Sequence, residues 1–282
     1  MAMVLPGGFT ELRRRRGRAH VLAARDRKLA EGAATLGAGG GSEFSVEGAV
    51  RFLTARGLDE PTVREGSIPQ ESLDYVHTFL RSELGEAGPV LALHIGNFVG
   101  VSLAWLTDAL RSLSPGSRVF SIDPDITHRA VERPATHVFA LLGHFGLLES
   151  NVVISGYTLE QGVGDDNALE PARAVEAEQR SEQVLRSLGD LASRRFRLIL
   201  IDGNHDARYL ERELEQVRRL LSPGGLLVLD DVDEATWDLV AAIFDRLAGE
   251  GDFEELGRDG RLGILQARPQ AGTRQASPLD AP

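Results

Sequence analysis

Apolar positions along this chain alternate between two rhythms. Short runs rich in apolar residues, PVLALHI (89–95), RVFSID (118–123), NVVISG (151–156), FRLILID (196–202) and GLLVLDD (225–231), read as strands. The least interrupted of them are the kind a strand shows when both its faces are covered. Between them lie one-sided stripes at helical spacing, over 99–112, 135–147, 179–192 and 234–248. Another carries Leu210, Leu214, Val217, Leu220 and Leu221. A strand–helix alternation of this kind predicts an α/β fold with a parallel, doubly wound sheet. The segment DFEELGRDGRLGILQAR breaks the rhythm and reads as an antiparallel hairpin around Arg258-Asp259-Gly260 at one sheet edge.

The flanks are organised differently. Residues 9–31 predict a basic helix, with Arg13, Arg14, Arg15, Arg16, Arg18, Arg25, Arg27 and Lys28. It reads as a solvated face or a subunit contact. GAATLGAGGGS (32–42) has the composition of a flexible linker. The chain thus divides into a basic helix and linker (1–43), a helical region (44–84) with helices near 46–56 and 69–84, a main domain (85–268) and a tail (269–282) expected to be disordered. The helical region is expected to shape an acceptor pocket or an oligomer contact. An acidic stretch at 160–178 reads as an insertion or lid.

Composition narrows the chemistry. The 282 residues carry a net charge of −11, which argues against general affinity for nucleic acid or anionic membrane. No apolar run reaches the length of a membrane span, and the start of the chain has the charge order of a secretory signal reversed. A soluble cytoplasmic protein is expected. The absence of cysteine removes disulfides, thiolate metal sites and a cysteine nucleophile. Lys28 is the only lysine, so neither a phosphate-binding Gly-Lys-Ser/Thr loop nor a lysine base in the core can be built.

Candidate chemistry collects where the strands end. The first strand runs into His94-Ile95-Gly96-Asn97-Phe98-Val99-Gly100-Val101-Ser102. Its glycines let a ligand approach the backbone, and the helix after it offers free N–H groups. A plain tight turn explains the same residues. The second strand ends in Asp123, an acid placed to bind both hydroxyls of an adenosine ribose, or to cap a helix. Asp202 and Asp230-Asp231 end two strands expected to be neighbours, about 4.8 Å apart. Three oxygen donors without cysteine suit Mg²⁺; helix caps and a solvated acid are the alternative. His205, three residues past Asp202, is a candidate general base. His94, inside an apolar strand, reads as a hydrogen-bonded core residue.

Over 85–268 these motifs resemble the class I S-adenosylmethionine-dependent methyltransferases. Within them the chain is most similar to metal-dependent O-methyltransferases of sugars and natural products. The resemblance rests on HIGNFVGVS, SIDPD, SGYTLE and, most specifically, LILIDGNHD…LLSPGGLLVLDD. It implies a Rossmann-like seven-stranded sheet of order 3-2-1-4-5-7-6 with the last strand antiparallel. It implies S-adenosylmethionine held by His94, Gly96, Asn97, Gly100, Ser102 and Asp123, with Tyr157 and Thr158 near the adenine. It further implies a divalent ion at Asp202, Asp230 and Asp231, and a small-molecule hydroxyl as acceptor. Two departures stand out: the family has an acid where His94 stands, and its catechol-type members use a lysine base that this chain lacks. The base role therefore moves to His205, with Asp202 beside it, and the acceptor reading moves towards a sugar, with a catechol or vicinal diol as the alternative.

Two competing readings come from the same residues. Asp123-x-Asp125-x-Thr127 after a strand matches the nucleophile motif of haloacid-dehalogenase-like phosphatases, although the lysine that chemistry needs is missing. His94 in place of an acid also admits a non-catalytic binding subunit.

Overall fold

The structure, a computed structural model, describes residues 44–85, 88–159, 185, 188, 196–233 and 235–268. The chain divides into residues 1–42 and 43–282, and every described residue belongs to the second unit. The basic helix, the linker, the acidic stretch, nearly all of the helix expected at 179–192 and the tail lie outside the described residues.

Among the described residues, three helices precede the sheet: α1 (Val46–Ala55), α2 (Glu60–Glu65) and α3 (Gln70–Leu84). Ser45 and Asp59 open the first two by accepting hydrogen bonds from the Gly48 and Thr62 amides. Six residues are too few to show a helical period, so α2 is not legible in the hydrophobic pattern. The sheet then builds as β1 (Leu91–Ile95), α4 (Val101–Leu113), β2 (Arg118–Asp123), α5 (Pro134–His144), β3 (Asn151–Ser155), β4 (Phe196–Ile201), α6 (Ala207–Leu220), β5 (Leu221–Leu229), α7 (Asp238–Gly249), β6 (Phe253–Arg258) and β7 (Gly263–Ala267).

The seven strands lie in the order β3-β2-β1-β4-β5-β7-β6. All neighbours are parallel except β7, which runs antiparallel to both β5 and β6. The chain has the Rossmann-like sheet expected of it. Pro223-Gly224-Gly225, a turn by composition, does not separate α6 from β5. Ser222-Pro223-Gly224-Gly225 belongs to β5, whose pairing with β4 shifts between Phe196 and Leu198 so that Leu221 and Leu226 face them. Gly224, at φ +73°, takes up that bulge without the penalty a Cβ would bring.

Alternate residues of each central strand face opposite layers, which explains the nearly unbroken apolar runs. Ala92, Leu198, Leu200, Leu226, Val228 and Ile264 pack with α1, α3, α4 and α5. Leu93, Ile95, Ile199, Ile201, Leu227 and Leu265 pack with α6 and α7. The helices before residue 85 thus share one core with the sheet. Among the described residues no helix is long and apolar enough to cross a membrane.

Candidate active site

Hydrogen bonding carries each central pairing one residue past the strand end. Gly96 N–H donates to the Ile122 carbonyl (3.0 Å), Asp202 N–H to Ile95 (2.8 Å) and Asp230 N–H to Ile201 (3.0 Å). The rim of the sheet is therefore a backbone ladder holding Asp123, Gly96, Asp202 and Asp230 in a row. Its tightest point is Gly96, at φ +88°, where a Cβ would lie 1.8 Å from the Asp202 carbonyl oxygen. Only glycine lets the two loops approach so closely.

On one side of that contact, Asp123 gathers the glycine turn. Its Oδ2 accepts from the Asn97 and Phe98 amides (2.8 and 3.2 Å), and its Oδ1 from the Asp125 amide (2.8 Å). Burial raises its carboxyl above the usual range, partly offset by these amides. A carboxylate offers about four lone-pair positions, so three are occupied and one, on Oδ1, remains for a ribose hydroxyl. A cavity lined by Asn97, Phe98, Asp123, Val138, Ile154 and Ser155 opens beside it. Asp125 Oδ1 accepts from the Ala135 amide (2.9 Å). Both aspartates of the Asp-x-Asp motif are thus engaged by backbone, an arrangement that supports a turn and not a phosphatase nucleophile.

His94 is wholly buried, and burial lowers its imidazole to about 4, so it is neutral. Its Nε2 lies 3.1 Å from Ser102 Oγ. His94 Nδ1 and Asn97 Oδ1 are buried without a well-formed hydrogen bond among the described residues, and the Asn97 side chain lies beside the His94 ring. Such atoms are rare unless a ligand or water completes them. With the Gly96 cradle and the cavity at Asp123, they fit a polar cofactor such as S-adenosylmethionine. Thr158 faces inward: its hydroxyl contacts the Tyr209 hydroxyl (2.8 Å) and the buried Glu213 carboxyl. Tyr157 precedes it at the end of the β3 loop.

On the other side stand the three acids. Asp202 is half-buried, and desolvation together with the neighbouring Asp230 holds its carboxyl well above the usual range. Asp230 is also buried. The guanidinium of Arg261 grips it with both prongs, Nε to Oδ1 at 2.7 Å and Nη2 to Oδ2 at 2.6 Å. Asp231 sits in the left-handed region (φ 58°), with Oδ2 2.9 Å from His205 Nε2 and Oδ1 3.7 Å from Arg261 Nε. Burial pushes its carboxyl up, but His205, Arg261 and Arg129 more than offset this and leave it below the usual range. The His205 ring stacks on Trp237, centroids 4.6 Å apart and planes 29° from parallel.

The expected metal ligands are thus neighbours, but their arrangement does not fit a divalent ion. Both oxygens of Asp230 face Arg261, and Asp231 faces His205. Among the described residues no group of three or more His, Asp or Glu side chains is arranged to hold a metal ion. Two residues of this site, Arg261 and Trp237, escaped the sequence reading. The hairpin was legible and places Arg261 directly after its turn, but nothing local says what that side chain meets.

Residues 93–232 match the family model described as a methyltransferase domain. No curated protein matches the chain. Among solved structures, the chain is similar to the O-methyltransferase TomG from Streptomyces achromogenes, involved in tomaymycin synthesis and solved with S-adenosylmethionine. Identity is 16% and the TM-score 0.52, over 81% of this chain and 91% of that one. An O-methyltransferase from Bacillus cereus with S-adenosylhomocysteine gives 17% and 0.51, over 79% and 89%. The Podospora anserina methyltransferase PaMTH1, bound to S-adenosylhomocysteine, gives 14% and 0.54, over 95% and 100%. Identities this low speak for the fold; the family match speaks for the domain. Residues 93–232 thus carry a methyltransferase domain, on the fold of the S-adenosylmethionine-dependent methyltransferases to which the chain is similar.

Proposed function

We propose that this chain is an O-methyltransferase acting on a hydroxyl of a small molecule, with a sugar or other natural product as acceptor. The observation that carries the reading is the contact between Gly96 and Asp202, which places the Asp202–His205 loop against the cofactor turn. Bound S-adenosylmethionine supplies a methyl group on a sulfonium, transferred by in-line displacement.

The chain's own residues have three tasks. Asn97, neutral His94 and Ser102 line the turn, where Gly96 and Gly100 keep the backbone open to the cofactor, and Asp123 offers one remaining acceptor position to the ribose. Tyr157 and Thr158 border the adenine side, Thr158 through its hold on Tyr209 and Glu213. His205, fixed between Asp231 and Trp237, takes the proton of the attacking hydroxyl at Nδ1, because Nε2 faces Asp231. A positioned base of this kind contributes about 10²–10⁴-fold. Asp202 acts as a positioning residue.

The lack of a core lysine favours an aliphatic hydroxyl over a catechol. The involvement of TomG in tomaymycin synthesis is in keeping with a natural-product acceptor. Magnesium was expected from the carboxylates, and the Asp230–Arg261 fork speaks against it.

The test is calorimetric titration with S-adenosylhomocysteine, followed by transfer of labelled methyl to a panel of sugars, macrolide-like polyols and catechols. Binding together with transfer to an alcohol supports the reading. Failure to bind S-adenosylhomocysteine refutes it and favours a non-catalytic subunit.

A further inference from the structure

The place where carboxylates suggested a metal ion already holds a positive charge. We propose that the guanidinium of Arg261 is the built-in cation of the acceptor site, holding Asp230 and Asp231 in place of a divalent metal ion. The corollary, that methyl transfer here needs no metal, rests on the proposed function above.

The hairpin fixes Arg261 from three directions. Asp259 Oδ1 accepts from the Arg261 and Leu262 amides (2.9 and 2.7 Å) and shapes the turn. The Arg261 carbonyl accepts from the Val232 amide (2.9 Å) and ties that turn to the segment just past Asp231. The side chain then meets Asp230 as a planar fork on a planar carboxylate, with Nε also 3.7 Å from Asp231. Fork-on-fork pairing combines charge with direction. The Asp230 side chain is fully buried while the Arg261 side chain is 32% exposed, so the guanidinium closes the carboxylate cluster from the cleft side.

A divalent ion reaching Asp230 would have to displace this fork or sit against a like charge at short range. Magnesium also demands near-octahedral oxygen donors, and Asp230 has no free carboxylate edge to give. With the carboxylates already neutralised, the protein needs no ion to keep them together, and the hydroxyl's proton falls to His205 alone.

The test is titration of the full-length protein with Mn²⁺, following the free-ion resonance by electron paramagnetic resonance, with S-adenosylhomocysteine calorimetry on the same samples. Wild type should leave Mn²⁺ free into the millimolar range. Arg261→Ala should bind one Mn²⁺ at least tenfold more tightly than wild type, and adding Asp230→Asn should abolish that gain. Stoichiometric micromolar binding by wild type, lost in Asp230→Asn, overturns the proposal. So does an Arg261→Ala variant that is folded by circular dichroism and binds Mn²⁺ no better than wild type. Should Arg261→Ala not fold, Arg261→Gln replaces it and the wild-type titration still decides. If S-adenosylhomocysteine fails to bind any of these proteins, the methyl-transfer reading falls while the Mn²⁺ result still judges Arg261.

Discussion

Glu213 offers the sharpest quantitative check on the core behind the cofactor site. It sits on α6, fully buried, with Oε1 against the Thr158 hydroxyl and Oε2 without a partner among the described residues. Burial raises its carboxyl from 4.5 to about 7, partly offset by Thr158 and His205. Between those values the folded protein keeps a proton that the unfolded chain has released. Stability must therefore fall as pH rises from about 4.5 to about 7, and the loss is complete above the folded value. At about 1.4 kcal/mol per pKa unit, the full effect is roughly 3 kcal/mol. Glu213→Gln keeps the shape and removes the proton. Urea unfolding of both proteins at pH 5, 6, 7 and 8 should show the variant gaining about 2.5 kcal/mol on wild type across the series, since part of the effect is already spent at pH 5. Titrations of groups that do not interact with Glu213 cancel in that difference. Stability curves that stay parallel within about 0.5 kcal/mol would refute a neutral, buried Glu213.

Further outcomes follow from the rim. Gly96→Ala forces a Cβ to 1.8 Å from the Asp202 carbonyl oxygen at φ +88°; overpacking and backbone strain together should cost about 2–5 kcal/mol and weaken S-adenosylhomocysteine binding, as read by urea unfolding and calorimetry. His205→Gln should lower kcat by about 10²–10⁴-fold while leaving cofactor affinity within a factor of about three; an unchanged kcat would remove His205 as the base. Arg261→Ala should destabilise by about 3 kcal/mol, at the lower end for a broken buried pair because the guanidinium is partly solvated. Adding Asp230→Leu should restore much of that loss in a double-mutant cycle. Excess EDTA should leave turnover unchanged.

The hydrophobic pattern alone locates six of the seven strands to within two residues. A strand covered on both faces writes burial directly into consecutive positions, as in Leu91–Ile95 and Phe196–Ile201. The exception is β5, which begins at Leu221 because Pro223-Gly224-Gly225 reads as a turn and is a bulge. The acids were legible because a strand that stops at the sheet rim leaves its next residues at the site, whatever the rest of the chain does. Strand order was legible only through resemblance to a family.

By itself, then, the sequence determined the alternating strands and helices, the glycine turn and the placing of Asp123, Asp202, His205, Asp230 and Asp231 along one edge. Those properties depend on local pattern and on where each strand ends. Tertiary structure decided the charge states and partners that set the chemistry. Inserting β7 antiparallel beside β5 brings Arg261 onto Asp230 from 31 residues away. Desolvation, which no local motif encodes, makes His94 neutral and raises the Asp202 carboxyl. A row of acids that suggests a metal thereby becomes a site closed by its own arginine.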